Sequence, residues 1–107
     1  MAERTIDEEI MEKITKYIAE ISKNYIIEAV ILFGSCVKGT NHEDSDIDIA
    51  IVVNDIKNDV IDEELNLMRL RRKIDTRIEP HLIRKEDYEN ISTPFIKEIV
   101  DTGIKVA

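Results

Sequence analysis

The sequence predicts an α/β (α+β) fold in which a small mixed β-sheet has helices packed on one face. The 107-residue chain contains amphipathic stretches with helical spacing of apolar residues, and short runs rich in Ile and Val that suit strands. Along the chain these segments follow the order α-β-β-α-β-α, which favours a sheet with helices packed against it. We expect one domain, residues 1–107, because a chain of this length sustains a single core without disulfides.

The first half of the chain is predicted to form a helix followed by two strands. Thr5 and Glu8 fit a capping box at the helix start, and apolar residues then recur at helical spacing. The first strand ends at Gly34, and Asn54-Asp55 turns the chain after the second strand. The expected bounds are about 6–23 for the helix, 26–33 for the first strand, 35–45 for a connection and 46–53 for the second strand.

The second half is predicted to add a helix, a third strand and a short final helix. Ile61 and Leu65 are spaced along one side of the second helix. Thr93-Pro94 fits an N-cap followed by proline at the first position of the last helix, and Gly103 suits the position after its last turn. The expected bounds are about 58–73 for the helix, 74–83 for the strand, 84–90 for a short helical turn and loop, and 104–107 for a short final strand.

The most specific pattern in the chain is a Gly34-Ser35 pair followed, after ten residues, by Asp46-Ile47-Asp48. Because side chains alternate along a strand, Asp46 and Asp48 are expected on one face. Two carboxylates this close are costly unless a cation lies between them, and Mg²⁺ prefers oxygen ligands of this kind. Without a Cβ, Gly34 lets backbone N–H groups approach an anion, and Ser35 adds a hydroxyl donor.

Each half of this pattern also has a plainer interpretation. Asp46 and Asp48 could end a polar loop, and Gly34-Ser35 could be an ordinary turn after a strand. Only the combination is specific, because it predicts a phosphate-holding turn beside a pair of carboxylates at the start of an apolar strand. That arrangement is what metal-assisted transfer of a nucleotide needs.

The same residues carry a resemblance to a known group of proteins. Phe33 to Thr40 and Ser45 to Val52 match the signature of the DNA polymerase β-like nucleotidyltransferase superfamily, and they resemble its small stand-alone members, the minimal nucleotidyltransferases. The resemblance covers about residues 26–83. It implies the polymerase β-like nucleotidyltransferase fold. It also implies Mg²⁺-dependent transfer of a nucleoside monophosphate from a nucleoside triphosphate, ATP by family default, to an acceptor with release of pyrophosphate.

The resemblance also implies roles for individual residues. Asp46 and Asp48 would bind two Mg²⁺ ions, one associated with the nucleotide and one catalytic. Gly34 and Ser35 would hold the β- and γ-phosphates. Lys38 belongs to a polar stretch, Lys38-Gly39-Thr40, that either faces the triphosphate or is a plain loop.

A third carboxylate is implied on a neighbouring strand, where it would bind the catalytic metal ion and accept the proton of the acceptor. We favour Glu79, because the proline that follows it suggests a strand near an edge or irregularity. Asp75 is the alternative, four residues back and roughly 13 Å away along an extended strand. The usual residue in the family is Asp, so the Glu leaves the choice open. By strand alternation, His81 lies on the same face of the predicted third strand as Glu79, and it either touches the substrate or has a structural role.

The composition narrows the classes of partner. The net charge of −8 weighs against independent binding to DNA or RNA, whose affinity comes largely from Lys and Arg contacts to phosphate. The run 69–73 is basic, and it either meets nucleotide phosphates or a partner, or is a solvated helix end.

The single cysteine, Cys36, excludes an internal disulfide, and the Cys and His residues do not show a zinc pattern. The N-terminus has no apolar targeting segment, which predicts a cytoplasmic protein.

The small size bears on the acceptor. Minimal nucleotidyltransferases are commonly paired with small helical HEPN proteins, and the resemblance implies an antitoxin that adenylylates its toxin partner on a tyrosine. One alternative is a binding subunit that neutralises a partner by docking alone, although unused paired acids would then be an electrostatic cost. Another is a nucleotidyltransferase that acts on a small molecule.

Overall fold

A computed structural model describes residues 8–38, 45–56 and 59–107 of the chain. The predicted N-cap Thr5 and the loop residues Gly39 and Thr40 lie outside these ranges. The helices are α1 (Glu8–Ile21), α2 (Ser35–Lys38), α3 (Val60–Leu70), α4 (Lys85–Glu89) and α5 (Pro94–Thr102), with one 3-10 turn, Arg71–Lys73. The strands are β1 (Ile27–Phe33), β2 (Ile47–Val53), β3 (Ile78–Arg84) and β4 (Ile104–Lys105).

The four strands form one mixed sheet in the order β3-β2-β1-β4. Strand β1 pairs antiparallel with both β2 and β4, whereas β2 pairs parallel with β3. A parallel pair needs a crossover, and α3 supplies it between β2 and β3. The expected mixed sheet is therefore confirmed, with β3 at one edge.

One face of the sheet is covered by the two longest helices, α1 and α3. Tyr17 of α1 is fully buried, and its hydroxyl donates a 2.6 Å hydrogen bond to the carbonyl of Leu67 in α3. Burial raises the pKa of the Tyr17 hydroxyl well above its usual range. This face of the core also contains Val30 and Leu32 of β1, and Ile47, Ile49 and Ile51 of β2.

Among the described residues, no helix is long and apolar enough to cross a membrane.

The opposite face of the sheet is covered by α5, so the expectation that the helices pack on one face is wrong for this helix. Ile96 and Ile99 of α5 are buried against this second face. The sheet residues beneath them are Ile31 and Phe33 of β1, Ala50 and Val52 of β2, and Ile83 of β3. The physical reason is that β1 and β2 are apolar at successive positions, so that both faces need cover.

The third strand starts four residues later than expected. Residues 74–77 form a turn rather than the first part of β3. Asp75 explains this, because its carboxylate accepts a 2.8 Å hydrogen bond from the backbone N–H of Arg77. Such side-chain hydrogen bonds to the local backbone compete with strand pairing.

Two further details differ from expectation in the helices. In α3 the buried residue is Leu67, whereas Ile61 and Leu65 are largely exposed, because the helix packs against the sheet through a different side. Gly103 is the C-cap residue of α5 and has an ordinary negative φ of −75°, so it is not a left-handed C′ residue. The Thr93 cap is confirmed, since its hydroxyl accepts a 3.1 Å hydrogen bond from the N–H of Ile96.

A strained residue follows the end of helix α4. Ile91 has a φ of +48°, a conformation that is unusual for a β-branched side chain. The N–H of Ile91 donates to the carbonyl of Tyr88, and the N–H of Ser92 donates to the carbonyl of Asp87. This is the hydrogen-bond pattern of a Schellman motif, in which glycine usually occupies the position that Ile91 holds. The side chain of Ile91 is 43% exposed, so it buries little surface in return.

Replacing Ile91 with glycine is expected to stabilise the protein. The change removes a left-handed penalty of roughly 1–2 kcal/mol, partly offset by the greater backbone freedom of glycine in the unfolded chain. We expect the free energy of unfolding in urea to rise by about 0.5–1 kcal/mol. Ile91→Ala is the matched control, because it shortens the side chain but keeps the Cβ. An equal gain in both variants would show that exposed apolar surface, rather than backbone strain, is responsible.

Candidate active site

Asp48 lies at the centre of the candidate site. It belongs to β2, the strand that lies between β1 and β3 in the sheet. In the sheet register, Asp48 pairs with Phe33 of β1 on one side and with Glu79 of β3 on the other. Residues that are direct neighbours in a parallel pair project from the same face. The pairing therefore brings Glu79, the third carboxylate that the sequence favoured, next to Asp48 on one face of the sheet.

The turn after β1 contacts the carboxylate of Asp48. Gly34 has a φ of +80°, and a Cβ placed on it would lie only 2.6 Å from Asp48 Oδ2. A residue with a side chain could not be accommodated without moving the carboxylate. Ser35 begins the short helix α2, and the N–H of Val37 donates a 3.1 Å hydrogen bond to the carbonyl of Gly34. The backbone of Lys38 ends this helix; its side chain lies outside the described atoms.

Asp46 is the residue immediately before β2, because the strand starts at Ile47 rather than at Asp46 as expected. It is exposed, and its backbone carbonyl lies 3.6 Å from Cys36 Sγ, which donates to it. The N–H of Ile47 donates a 2.8 Å hydrogen bond to the carbonyl of Arg77. These contacts fix the start of β2 between helix α2 and the turn that precedes β3, so Asp46 lies at the same end of the strand as Asp48.

Glu79 is accompanied by an arginine from the end of α3. Arg71 Nη1 donates a 2.8 Å hydrogen bond to the carbonyl of Ile78 and lies 3.7 Å from Glu79 Oε1. The guanidinium therefore fixes the beginning of β3 and places a positive charge beside the Glu79 carboxylate. The sequence placed Arg71 in a basic run without assigning it to this strand, because a contact between the end of a helix and the next strand has no local pattern.

A small aromatic cluster borders Asp48 on the side of β3. His81 Nε2 lies 3.4 Å from Asp48 Oδ1, so the two carboxylate oxygens of Asp48 face different neighbours. The His81 ring lies 5.2 Å from Phe33 and 5.4 Å from Phe95 of α5, measured between centroids. Phe33 and Phe95 are 5.6 Å apart in an edge-to-face arrangement. The sequence did not predict this cluster, because its three residues come from β1, β3 and α5.

Asp75, the alternative third carboxylate, is engaged elsewhere. Its carboxylate makes a 2.8 Å ion pair with Arg77 Nη2, and hydrogen bonds from Arg77 lower the pKa of Asp75 below its usual value. It lies in the turn before β3, outside the register that joins Asp48 to Glu79. The geometry therefore favours Glu79 over Asp75 as the partner of Asp48.

The donor chemistry of the site suits Mg²⁺, because Asp46, Asp48 and Glu79 supply carboxylate oxygens, the ligands that this ion prefers. One of these oxygens, Asp48 Oδ2, lies against Gly34, within 2.6 Å of the position that a Cβ would take. Among the described residues, no three Asp, Glu, His or Cys side chains are gathered closely enough to hold a metal ion. Glu79 is turned towards Arg71 and Asp48 contacts His81, so gathering these carboxylates requires side-chain rotation.

A family model described as "Polymerase beta, Nucleotidyltransferase" matches residues 12–107. The chain belongs to this nucleotidyltransferase family, which confirms the resemblance seen in the sequence. The matched region includes β1 and β2, the Gly34 turn between them, and β3.

Two relatives from Methanocaldococcus jannaschii are similar over almost their whole length. The protein named putative protein adenylyltransferase MJ0141 is 31% identical over 102 residues, covering 92% of this chain and 96% of that protein. The one named putative protein adenylyltransferase MJ1379 is 29% identical over 96 residues, covering 90% of this chain and 92% of that protein.

Two solved structures share the fold. A crystal structure of a putative nucleotidyltransferase from Sulfolobus solfataricus has a TM-score of 0.67 and 19% identity, covering 98% of this chain and 87% of that one. A crystal structure described as a toxin-antitoxin with AMP-PNP has a TM-score of 0.63 and 25% identity, covering 91% of this chain and 72% of that one. The predicted nucleotidyltransferase fold is thereby confirmed.

Substituting Gly34 with alanine is expected to destabilise the protein through two effects. The left-handed backbone and the close approach to Asp48 should together lower the free energy of unfolding by about 2–3 kcal/mol. In an Asp48→Ala background the cost should fall to about 1 kcal/mol, because only the backbone strain remains. This double-mutant cycle can be measured by urea unfolding. Equal costs in the two backgrounds would contradict the proposed contact between position 34 and the Asp48 carboxylate.

Asp75→Asn is expected to lower stability in a pH-dependent way. The pKa of Asp75 is lowered in the folded protein, so its ion pair stabilises the fold above the ordinary pKa of a free Asp and is lost as the pH falls. We expect a loss of about 1 kcal/mol at neutral pH that shrinks between about pH 5 and pH 2.

Arg77→Gln serves as the matched variant, since it removes the other half of the pair. Urea unfolding at several pH values measures both variants, and the two losses should follow the same pH dependence. A loss that stays constant from neutral to acid pH would contradict the ion-pair explanation.

Proposed function

We propose that this protein is a Mg²⁺-dependent protein adenylyltransferase that transfers AMP from ATP to a hydroxyl group of a partner protein. The observation that carries the proposal is the position of Asp48. One of its carboxylate oxygens lies against the turn at Gly34, and its strand neighbour is Glu79. Membership of the nucleotidyltransferase family supports the reaction class, and the names of the two archaeal relatives support a protein as the acceptor.

In this proposal Gly34 and Ser35 hold the β- and γ-phosphates, with Lys38 following in the same short helix. The backbone N–H groups can approach the phosphates because position 34 has no Cβ. Asp46, Asp48 and Glu79 hold two Mg²⁺ ions. When bound, these ions neutralise charge on the α-phosphate and on the attacking and leaving oxygens.

The proposed transfer is an in-line displacement at the α-phosphorus. A bond forms between the acceptor oxygen and the α-phosphorus, and the bond from phosphorus to the oxygen that bridges to the β-phosphate breaks. Pyrophosphate leaves with the electron pair of that bond. The acceptor proton passes to the Glu79 carboxylate and then to water. In this proposal the chain lowers the reaction barrier mainly by positioning the reacting groups and by stabilising the charge that develops on them.

A toxin of the HEPN class is the partner that we propose, with this protein as its antitoxin. The structure described as a toxin-antitoxin with AMP-PNP supports a role in such a pair, since it is 25% identical to this chain and 91% of the chain aligns with it. The HEPN class of the partner is proposed from the resemblance seen in the sequence. The small size is also consistent with an acceptor supplied by another polypeptide, because the four strands and five helices of the described residues leave little surface for a large acceptor pocket. The net charge of −8 favours a partner with a basic surface.

The test is transfer of label from α-³²P-ATP in the presence of Mg²⁺, with the protein alone and with the protein that copurifies from its native host. Asp46→Asn and Asp48→Asn should abolish transfer, because each removes a charged oxygen ligand. Glu79→Gln should reduce transfer by at least about 100-fold, the scale expected for a group that takes the acceptor proton. Asp75→Asn is the control that should retain activity, since Asp75 is paired with Arg77.

The possible results separate the alternatives. Label on a second polypeptide that disappears in the Asp48→Asn variant would support protein adenylylation. A stable complex without label from any nucleoside triphosphate would instead indicate a binding subunit that neutralises its partner by docking. Label on a small molecule with no protein labelled would indicate a small-molecule nucleotidyltransferase. Loss of activity in Asp75→Asn, with Glu79→Gln active, would exchange the roles of these two acids.

A further inference from the structure

The two carboxylate oxygens of Asp48 have different neighbours, and this difference indicates where an acceptor would bind. On the side of β1, Asp48 Oδ2 faces the turn at Gly34. On the side of β3, Asp48 Oδ1 lies 3.4 Å from His81. In an in-line displacement the attacking and leaving oxygens lie on opposite sides of the phosphorus. If the phosphates are held at Gly34, the acceptor must approach from the β3 side.

An open groove of about 450 Å³ lies on that side, along the edge strand β3. We call it the β3 groove. Residues 81–84 line it between α3 on one face of the sheet and the start of α5 on the other. The residues that matter here are His81, Leu82, Thr93, Phe95 and Ile96. Its end at His81 is the end closest to Asp48, so a group seated there is next to the candidate active site.

This end of the groove presents aromatic surface. Phe33 is almost fully buried beneath it, whereas Phe95 is 44% exposed, and both lie against His81. Edge-to-face packing of this kind leaves part of the Phe95 ring free to accept another ring. Phe95 belongs to the first turn of α5, and its partly exposed ring lines the groove beside His81.

We propose that the β3 groove is the acceptor site, and that Phe95 and His81 hold the aromatic ring of a phenolic acceptor side chain with its hydroxyl directed at Asp48 and Glu79. This inference rests on the proposed function. It adds a location for the acceptor, and it names Phe95 as a specificity-determining residue. The ring would complete the cluster formed by Phe33, His81 and Phe95, and the chain that carries it would continue along residues 82–84.

The test is an NMR titration of the ¹⁵N-labelled protein with N-acetyl-L-tyrosinamide in the presence of Mg²⁺ and α,β-methylene-ATP. We expect amide shifts concentrated at residues 81–84 and 93–96. Phe95→Ala should weaken binding of the probe about threefold to tenfold, the range that aromatic pairs support, and leave nucleotide binding unchanged. Phe95→Trp should keep binding, because it preserves an aromatic ring. N-acetyl-L-serinamide should produce no comparable shifts.

Val100→Ala is the matched control, since Val100 is a partly exposed apolar residue of the same helix that does not line the β3 groove. It should bind the probe like the wild type. Nucleotide binding without shifts in the groove, or equal probe binding by Phe95→Ala and the wild type, would overturn the acceptor assignment alone. Absence of Mg²⁺-dependent nucleotide binding would overturn the proposed function, and the acceptor site with it.

Discussion

The parallel pairing of β2 with β3 is the constraint on which the candidate site depends. It places Glu79 directly beside Asp48, although the two residues are 31 positions apart in the chain. Helix α3 makes the crossover between these strands. Arg71, in the 3-10 turn that follows α3, holds the start of β3 by donating a hydrogen bond to the carbonyl of Ile78. A shift of one residue would turn Glu79 to the opposite face, into the core. The apolar packing of Ile78 and Ile47 therefore specifies the site as well as the fold.

The burial of both sheet faces explains how charged groups can lie so close to the core. At the end of β2 that carries Asp48, the Asp48 side chain is 28% exposed. The next residues on that face, Ala50 and Val52, are fully or almost fully buried. The carboxylate thus lies at the boundary between core and solvent, where a charge keeps some hydration while low-dielectric walls strengthen its interactions.

Sequence patterns predicted the elements of this fold well where local physics determines them. The apolar alternation around Asp48 and the cap at Thr93 are examples, because strand periodicity and capping act over a few residues. The sequence did not predict the register that brings Glu79 beside Asp48, because pairing between strands so far apart in the chain leaves no local pattern. The cluster of His81 with Phe95 was not predicted, because it depends on α5 packing across the second face of the sheet, a long-range choice that no local pattern records.

The edge of β3 connects the fold with the way a partner can be recognised. An exposed edge strand invites pairing with another chain, and proteins commonly protect such edges with proline or with charged side chains. Here the carbonyl of Arg77 points towards β2, where it accepts a hydrogen bond from the N–H of Ile47. The backbone N–H and C=O groups of successive residues in a strand point to alternate sides, so those of Ile78 and Pro80 point away from β2. Arg71 occupies the carbonyl of Ile78, and Pro80 has no N–H to donate. The first half of this edge is therefore poorly suited to adding a strand, so the acceptor proposed for this edge would be held by side chains such as those of His81 and Phe95.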